Sequence, residues 1–467
     1  MSDNKPSRLP LVGMPQNRDL TQDRDSKLIN GYIEQGAGGE LWCYKRPGLT
    51  PALTPIGADV GTGYGITTWE GGVYSVFANG FCANALNYGS VGPVDYVSFS
   101  AYLGATPGMF FHSSLLAFTS TGGLPVAVVD PDYPSNKVSP EIVMPGAVFI
   151  DGTTYVMTSR ALIYGSDINN PTSWDPLNVI LAQIDPDLGV GIAKQQNYLI
   201  ALKEFSVEVF YDAGNAAGSP LARVEAAKLS VGCADGETIR SIDGQLFWMS
   251  RSKQGGYGVM TMEGLKARSI STPAVDRLLQ LATSTQCWGY TFRAFGHSFY
   301  GLRVSSTLSL IYDIGQQLWY QWADSAGNAF DVYDATSKPT SYLQARVGGT
   351  IWGLSNMLYQ DTSKSGAISQ FTFDLYTPNF DGGTRIKKTC NLMEIAADQT
   401  PGAVLQCRYS DDDYQTWSNR RDFDLGLERP LLPEWGSFRR RAHHFRQVGN
   451  YPLRLQAVDL HIDLGTL

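Results

Sequence analysis

Apolar positions along the chain fall into short runs, wholly apolar or alternating with polar residues and separated by polar turns, and this pattern predicts strands rather than helices. It is clearest in VGIAKQQNYLIALKEFSVEVFYD (190–212), which reads as the strands Val190–Lys194, Tyr198–Leu202 and Val207–Asp212 broken by QQN and KEFS. The same phrase returns as GGVYSVFA at Gly71, HSSLLAFT at His112, GTTYVMTS at Gly152, QNYLIALK at Gln196, GQLFWMSR at Gly244, GHSFYGLR at Gly296 and GGTIWGLS at Gly348. Read as second strands, these anchors lie 40 to 52 residues apart, the period of a four-stranded propeller blade. One small twisted sheet exposes both faces, whereas a closed ring of them buries all but the outer edges. The expected fold is therefore all-β, a six- or seven-bladed β-propeller over residues 61–365.

The flanks differ. Residues 1–60 are rich in Pro, Gly and polar side chains around two apolar islands, LINGYIEQ and ELWCYKRPGL. They read either as a partly ordered arm or as a segment that supplies an outer strand to the ring or reaches a neighbouring subunit. Beyond Gly366 the repeat stops, and five or six longer alternating strands predict a C-terminal β-sandwich-like domain, 366–467. Two intervals break the repeat, 127–145 with its four prolines and 169–189 with Asn-Pro and Asp-Pro steps; both are expected as loops that meet partners. Helical spacing occurs at TPAVDRLLQLA (272–282), where Val275, Leu278, Leu279 and Ala282 share a side.

Composition narrows the function. A net charge of −8 and a pI near 5.2 argue against a binder that neutralises nucleic-acid phosphates, though not against passage of DNA past a repelling wall. The six cysteines form no CxxC pair and sit within apolar strands, which predicts buried thiols. No run reaches the ~18 apolar residues of a membrane span, so no membrane insertion is expected. The histidines stand alone, or as adjacent His443 and His444 that point to opposite strand faces, so no metal site is expected. The glycine-rich GADVGTGYG (57–65) lacks the GK[ST] ending of a phosphate loop, no G-x-S-x-G elbow occurs, and no catalytic residue or cofactor is assigned.

Two stretches carry candidate sites. SDDDYQTW matches the Asp-box S-x-D-x-G-x-T-W of sialidase-like propellers at Ser410, Asp412, Thr416 and Trp417, with Tyr414 in the glycine position. There the Asp caps a tight turn through backbone N–H groups, a structural role. The match keeps a carbohydrate-active or carbohydrate-binding propeller as the alternative, although no arginine cluster, Tyr nucleophile and Glu base can be assigned with it. FRRRAHHFRQ (438–447) is the dense basic run. On one strand, Arg439, Arg441 and His443 would face one side and Arg440, His444 and Arg446 the other. It reads as a solvated strand face or as a subunit or partner interface, where Arg is favoured, with a nucleic-acid site the weakest of the three readings because no Gly-rich or aromatic platform flanks it.

Several stretches resemble one family. CRYSDDDYQTWS (407–418), RDFDLG (421–426), the basic run and LRLQAVDLHID (453–463) resemble, in order, the tail nozzle, tail-hub or packaged-DNA stabilisation proteins of short-tailed bacteriophages. So do RALIYGSDINNPTSWDPLN, YLIALKEFSVEVFYDAG, GQLFWMSRS and GVMTMEGLKARSIS in the middle, and LINGYIEQ with KRPGL near the start. Tyr414 and AHHF (442–445) depart from the family's usual Gly and R-x-R-like run. The resemblance implies a virion structural protein, assembled in the bacterial host cytoplasm as a homohexameric ring below the portal and its head-to-tail adaptor. Such a ring would extend the channel for packaged double-stranded DNA without sequence-specific binding and carry tail fibres or tailspikes. The loops near 130–145 and 169–189 and the segment Arg439–Arg441 are its expected contact regions.

Overall fold

The computed structural model describes residues 6–11, 25–36, 38–53, 61–69, 71–77, 80–83, 86–90, 96–100, 108–112, 117–121, 124–128, 143–282, 287–337, 341–355 and 357–465. The 190–212 meander forms the strands Gly189–Gln195, Tyr198–Lys203 and Val207–Asp212, antiparallel and in order, with Leu221–Arg223 as the fourth. The middle strand is apolar on both sides for a reason the packing makes plain. Leu199 and Ala201 join Tyr155 and Ile163 of the preceding sheet, while Ile200 and Leu202 join Leu246 and Trp248 of the following one. A blade wedged between two neighbours buries both faces, so its central strand loses the polar alternation of a half-exposed sheet.

Seven such units follow one another among the described residues: 63–90, 96–128, 148–181, 189–223, 232–269, 288–321 and 334–354, here blades 1 to 7. Blade 2 consists of two hairpins, Tyr96–Ser100 with Gly108–His112 and Ala117–Thr121 with Leu124–Val128. It meets blade 3 through Tyr96 Oη to the Val143 carbonyl (2.8 Å) and the Gly146 amide to Ser98 Oγ (2.9 Å). Blade 7 draws three strands from the repeat region, and its fourth, Leu49–Leu53, pairs antiparallel with Ile351–Leu354. Blade 7 packs on blade 1 through Ile351, Ile66, Val73 and Phe77. Buried Gln344 bridges the same joint, donating to the carbonyls of Gly65 (3.0 Å) and Val76 (2.9 Å) and accepting from the Gly65 amide (2.9 Å). The chain is a β-propeller.

Two expectations need correcting. Anchors at Gly71, Gly152, Gln196, Gly244 and Gly296 lead into second strands, but those at His112 and Gly348 lead into the third strands Ala117–Thr121 and Ile351–Leu354. Second and third strands alternate alike, so periodicity alone does not separate them. The interval 169–189 is largely not a loop: Asn170–Leu181 is the outer strand of blade 3, with register shifts at Ser166. Pro171 and Pro176 are tolerated because an edge strand leaves amides unpaired. Of the interval 127–145, residues 129–142 lie outside the described residues. The helix is Pro273–Leu279, capped by Thr272 Oγ1, which accepts from the Val275 amide (3.3 Å). Among the described residues no helix is long and apolar enough to cross a membrane.

The C-terminal strands form two sheets. One runs Gly31–Gln35, Leu41–Lys45, Arg454–Leu464, Lys388–Ala397 and Leu431–Phe438. The other continues blade 6: Lys27–Ile29 pairs parallel with Leu318–Gln321 and antiparallel with Phe373–Tyr376, followed by Ala442–Gln447, Val404–Ser410 and Arg421–Asp424. Leu455, Met393, Phe445 and Leu405 from the two sheets share one core with Phe292 of blade 6 and Trp322 just after it. Burial of side chains this large is worth about 1.5–3 kcal/mol each. Cys43, Cys233, Cys287, Cys390 and Cys407 are free, buried thiols, as the sequence suggests; the side chain of Cys82 lies outside what the structure describes.

Candidate functional site

The centre of the ring is a cavity of about 580 Å³ lined by the inner strands of the blades, from Tyr64 and Ser98 round to Lys194 and Asp334. Its charged groups face one another. Arg240 Nε lies 3.2 Å from Asp334 Oδ1, Asp334 Oδ2 accepts from the Ile66 amide (3.2 Å), and Tyr333 Oη donates to Glu237 Oε2 (3.0 Å). Just behind, Asp235 Oδ1 caps the short turn Gly236–Thr238 by accepting from the Glu237 amide (2.8 Å). Burial lifts the Asp235 carboxyl to about 7, against the pull of that amide. A perturbed carboxyl beside a cavity is a common mark of chemistry. Here Glu237 and Asp334 are engaged in contacts between blades, and Asp235 in capping its own turn. Among the described residues no group of His, Cys, Asp and Glu is arranged to hold a metal ion.

The turn after Val404–Ser410 is built on Asp412. Its Oδ1 accepts from Ser410 Oγ (2.8 Å) and from the amides of Gln415 (3.1 Å) and Thr416 (2.9 Å), and its Oδ2 from Thr416 Oγ1 (2.6 Å). The hydroxyl and amide of Thr416, then Ser410, hold the carboxyl at about 2. Asp413 and Tyr414 both have positive φ, 64° and 66°, a conformation that favours glycine. Tyr414 meets this by burying its ring and donating Oη to the Thr377 carbonyl (2.8 Å). Trp417 lies edge-on to Tyr376 and His444, with centroids 5.7 and 5.6 Å away.

The basic run is not one strand. Leu431–Phe438 ends, the chain bends at Arg439 and Arg440, and Ala442–Gln447 begins. Arg441 is buried between Tyr409 and Phe438, its guanidinium 3.7 and 4.5 Å from their ring centroids. It pairs with Asp411 through Nε–Oδ1 (2.7 Å) and Nη2–Oδ2 (2.8 Å). His443 faces the core beside Trp435 and Phe445; burial, then the charge of Arg441, pushes its pKa down to about 3. His444 lies on the other face, stacked 3.9 Å from Tyr376. Its Nδ1 accepts from Arg408 Nε (2.8 Å), so the proton sits on Nε2, which donates to Asp374 Oδ1 (2.6 Å). Burial keeps it neutral, with a pKa near 4 despite Asp374. Arg446 also contacts Asp374, Arg440 lies 3.3 Å from Asp413, and exposed Arg439 donates to the Arg385 carbonyl (2.9 Å). Three of the six residues are therefore internal to this chain, and Arg439, Arg440 and Arg446 retain contact with solvent.

Sequence reasoning missed the junction formed by LINGY and KRPG. Asn30 has φ 54°, and a Cβ on Gly31 would meet the Tyr44 carbonyl at 2.6 Å. Asn30 Oδ1 accepts from Arg46 Nε (2.9 Å) and the Ala323 amide (2.8 Å), while its Nδ2 donates to the Thr372 carbonyl (2.9 Å). The available signal was the Asn-Gly step ahead of an Arg-Pro-Gly.

The family described as bacteriophage P22 Gp10, β-propeller (Phage_stabilise), matches residues 25–348. No curated protein matches the chain. Solved structures with some likeness include the N-terminal domain of Nup159, at 8% identity, 70% of this chain, 98% of that chain and TM-score 0.38. BamB from Moraxella catarrhalis gives 12%, 67%, 100% and 0.37, and the WD40 β-propeller domain of Doa1 gives 9%, 68%, 98% and 0.38. The family match covers more than half of the chain, from the ring-closing segment into blade 7; the chain belongs to the bacteriophage P22 Gp10 β-propeller family and is a phage structural protein of the DNA-stabilising kind.

Proposed function

We propose that the protein forms the tail nozzle or hub of a short-tailed phage, a homohexameric ring below the portal and adaptor that prolongs the DNA channel, retains the packaged genome and carries fibres or spikes. The observation that carries this reading is the family match over residues 25–348. The size of the propeller's own hole bears on this reading. The central cavity of about 580 Å³ continues into one of about 480 Å³ past Thr67, Lys194 and Thr291; together they hold only a few tens of waters at ~30 Å³ each, whereas the major groove of a duplex is by itself ~12 Å wide. DNA would therefore pass between copies of the chain, not through the hole of one propeller. A net charge of −8 per copy would keep a lumen from holding the phosphate backbone. The Asp412 turn holds its own chain and lends no support to the carbohydrate-active alternative.

Electron microscopy of virions labelled at an exposed loop of this protein tests the reading. A sixfold ring beneath the capsid vertex is expected. Label found elsewhere in the particle, or none in it, would overturn the assignment, as would release of sugar from a model glycoside by the purified chain.

A further inference from the structure

One outer sheet face carries more cation than its own carboxylates can pair. Across the strands Phe373–Tyr376, Ala442–Gln447 and Val404–Ser410, Tyr376 lies opposite His444 and His444 opposite Arg408; Asp374 lies opposite Arg446 and Arg446 opposite Gln406. The intervening Leu375, Phe445 and Cys407 enter the core, so the polar set shares the outward face. Asp374 already accepts from His444 (2.6 Å) and contacts Arg446, and Asp422 accepts from Gln406 (3.1 Å). Arg408 is occupied by neutral His444 and by the Trp417 ring, 4.9 Å from its centroid.

Arg420 precedes Arg421, the partner of Cys407, and so arrives beside Arg408. It is half-buried, and no described residue hydrogen-bonds to it or forms an ion pair with it. Burial, then the charges of Arg446 and Arg408, hold its pKa below the usual arginine value against the weaker pull of Asp374. A guanidinium held in this way among like charges lacks an acceptor, and its planar fork suits a carboxylate or a phosphate.

We propose that this face, with Arg420 flanked by Arg408 and Arg446 and bordered by Trp417, docks a carboxylate-rich segment of a partner protein. A carboxylate segment is favoured over nucleic acid by the charge of the whole. A short acidic peptide meets only the basic face, whereas a long polyanion also meets a chain of net charge −8. The proposal does not depend on the ring reading.

The test is fluorescence anisotropy with the full chain at low salt, using a short glutamate-rich peptide and a duplex oligonucleotide of equal charge. The peptide is expected to bind, more weakly as salt rises, and Arg420→Ala to weaken it about tenfold, equivalent to about 1.4 kcal/mol, with its unfolding midpoint unchanged. Arg439→Ala, on the bend outside this face, should bind as the unaltered protein does. Should Arg420→Ala be misfolded, Arg420→Gln takes its place in the same comparison. Absence of peptide binding, equal loss in the Arg439 and Arg420 variants, unchanged binding by folded Arg420 variants, or tighter binding of the duplex would each overturn the proposal.

Discussion

Arg46 and Asp361 meet side by side, Nη1 on Oδ1 at 3.0 Å and Nη2 on Oδ2 at 2.9 Å, with the guanidinium 3.6 Å from the Phe371 ring centroid. The remaining donors of Arg46 reach Asn30 Oδ1 and the Pro47 and Ala323 carbonyls. Asp361 in turn accepts from the Leu49 amide (2.8 Å), at the head of the strand that completes blade 7. One buried side chain thus ties the N-terminal segment to the loop after blade 6 and to the chain leaving blade 7.

Arg46→Ala is expected to lower stability by about 3–5 kcal/mol, because it leaves a mostly buried carboxylate without its cation. Arg46→Lys should recover little, since a point charge cannot reproduce the fork. The shift in urea midpoint measures both; a change under ~1 kcal/mol would show that the junction is not held by this pair.

The closing strand can be locked. Thr50 lies opposite Gly353, and a Cβ at Gly353 has room, 3.4 Å from Ala52 Cβ. Directly opposed antiparallel residues have Cα atoms ~4.5–5.5 Å apart, within disulfide reach. The double variant Thr50→Cys/Gly353→Cys should crosslink on oxidation and gain about 2–4 kcal/mol over its reduced form. Failure of the pair to oxidise in the folded protein would mean that this strand does not close the ring.

Asp374 sets an acid limb. Burial works to raise its carboxyl, but His444 and Arg446 outweigh that and hold it at about 2 against an ordinary 3.8. With the folded value below the unfolded one, its contribution is present above pH ~4 and is lost as pH falls through about 2. Asp374→Asn should lower stability at pH 7 and flatten the decline between pH 4 and 2. Some decline should remain, because Asp412 is also held at about 2. Unfolding midpoints across that window read the effect, and an unchanged slope would contradict it.

Asp235 acts with the opposite sign. Its folded value near 7 lies above the ordinary carboxylate range, so its contribution is full below pH ~4 and is lost as pH rises through about 7. Asp235→Asn keeps an oxygen for the Glu237 amide and removes the charge. It should be more stable than the unaltered protein at pH 8 and no more stable at pH 3. Equal midpoints at pH 8 would refute the burial effect.

The repeat was legible because each blade's second strand touches two neighbours and must be apolar on both sides, as Leu199 and Ile200 are. Strand phase was not: the hairpins leading to Ala117–Thr121 and Ile351–Leu354 carry the same alternation one strand later. Proline-rich 170–181 read as a loop because edge strands follow weaker rules than inner ones. At the candidate site, His443 and His444 on opposite faces followed from strand geometry. Their burial did not, because it depends on Asp374, Trp435 and Tyr376 arriving from elsewhere in the chain. Arg420 gave no signal, since its meaning lies in Arg408 and Arg446, on neighbouring strands distant in sequence or separated by a turn.

The partnership of Leu49–Leu53 with Ile351–Leu354 also sets a clock. Some 300 residues separate the two segments, and a ribosome working at ~5–20 residues per second takes roughly 15–60 s to make them. During that interval the early strand waits on a nascent chain, and blade 7 cannot exist. Closure of the ring therefore comes late in translation, after most of the chain has been made.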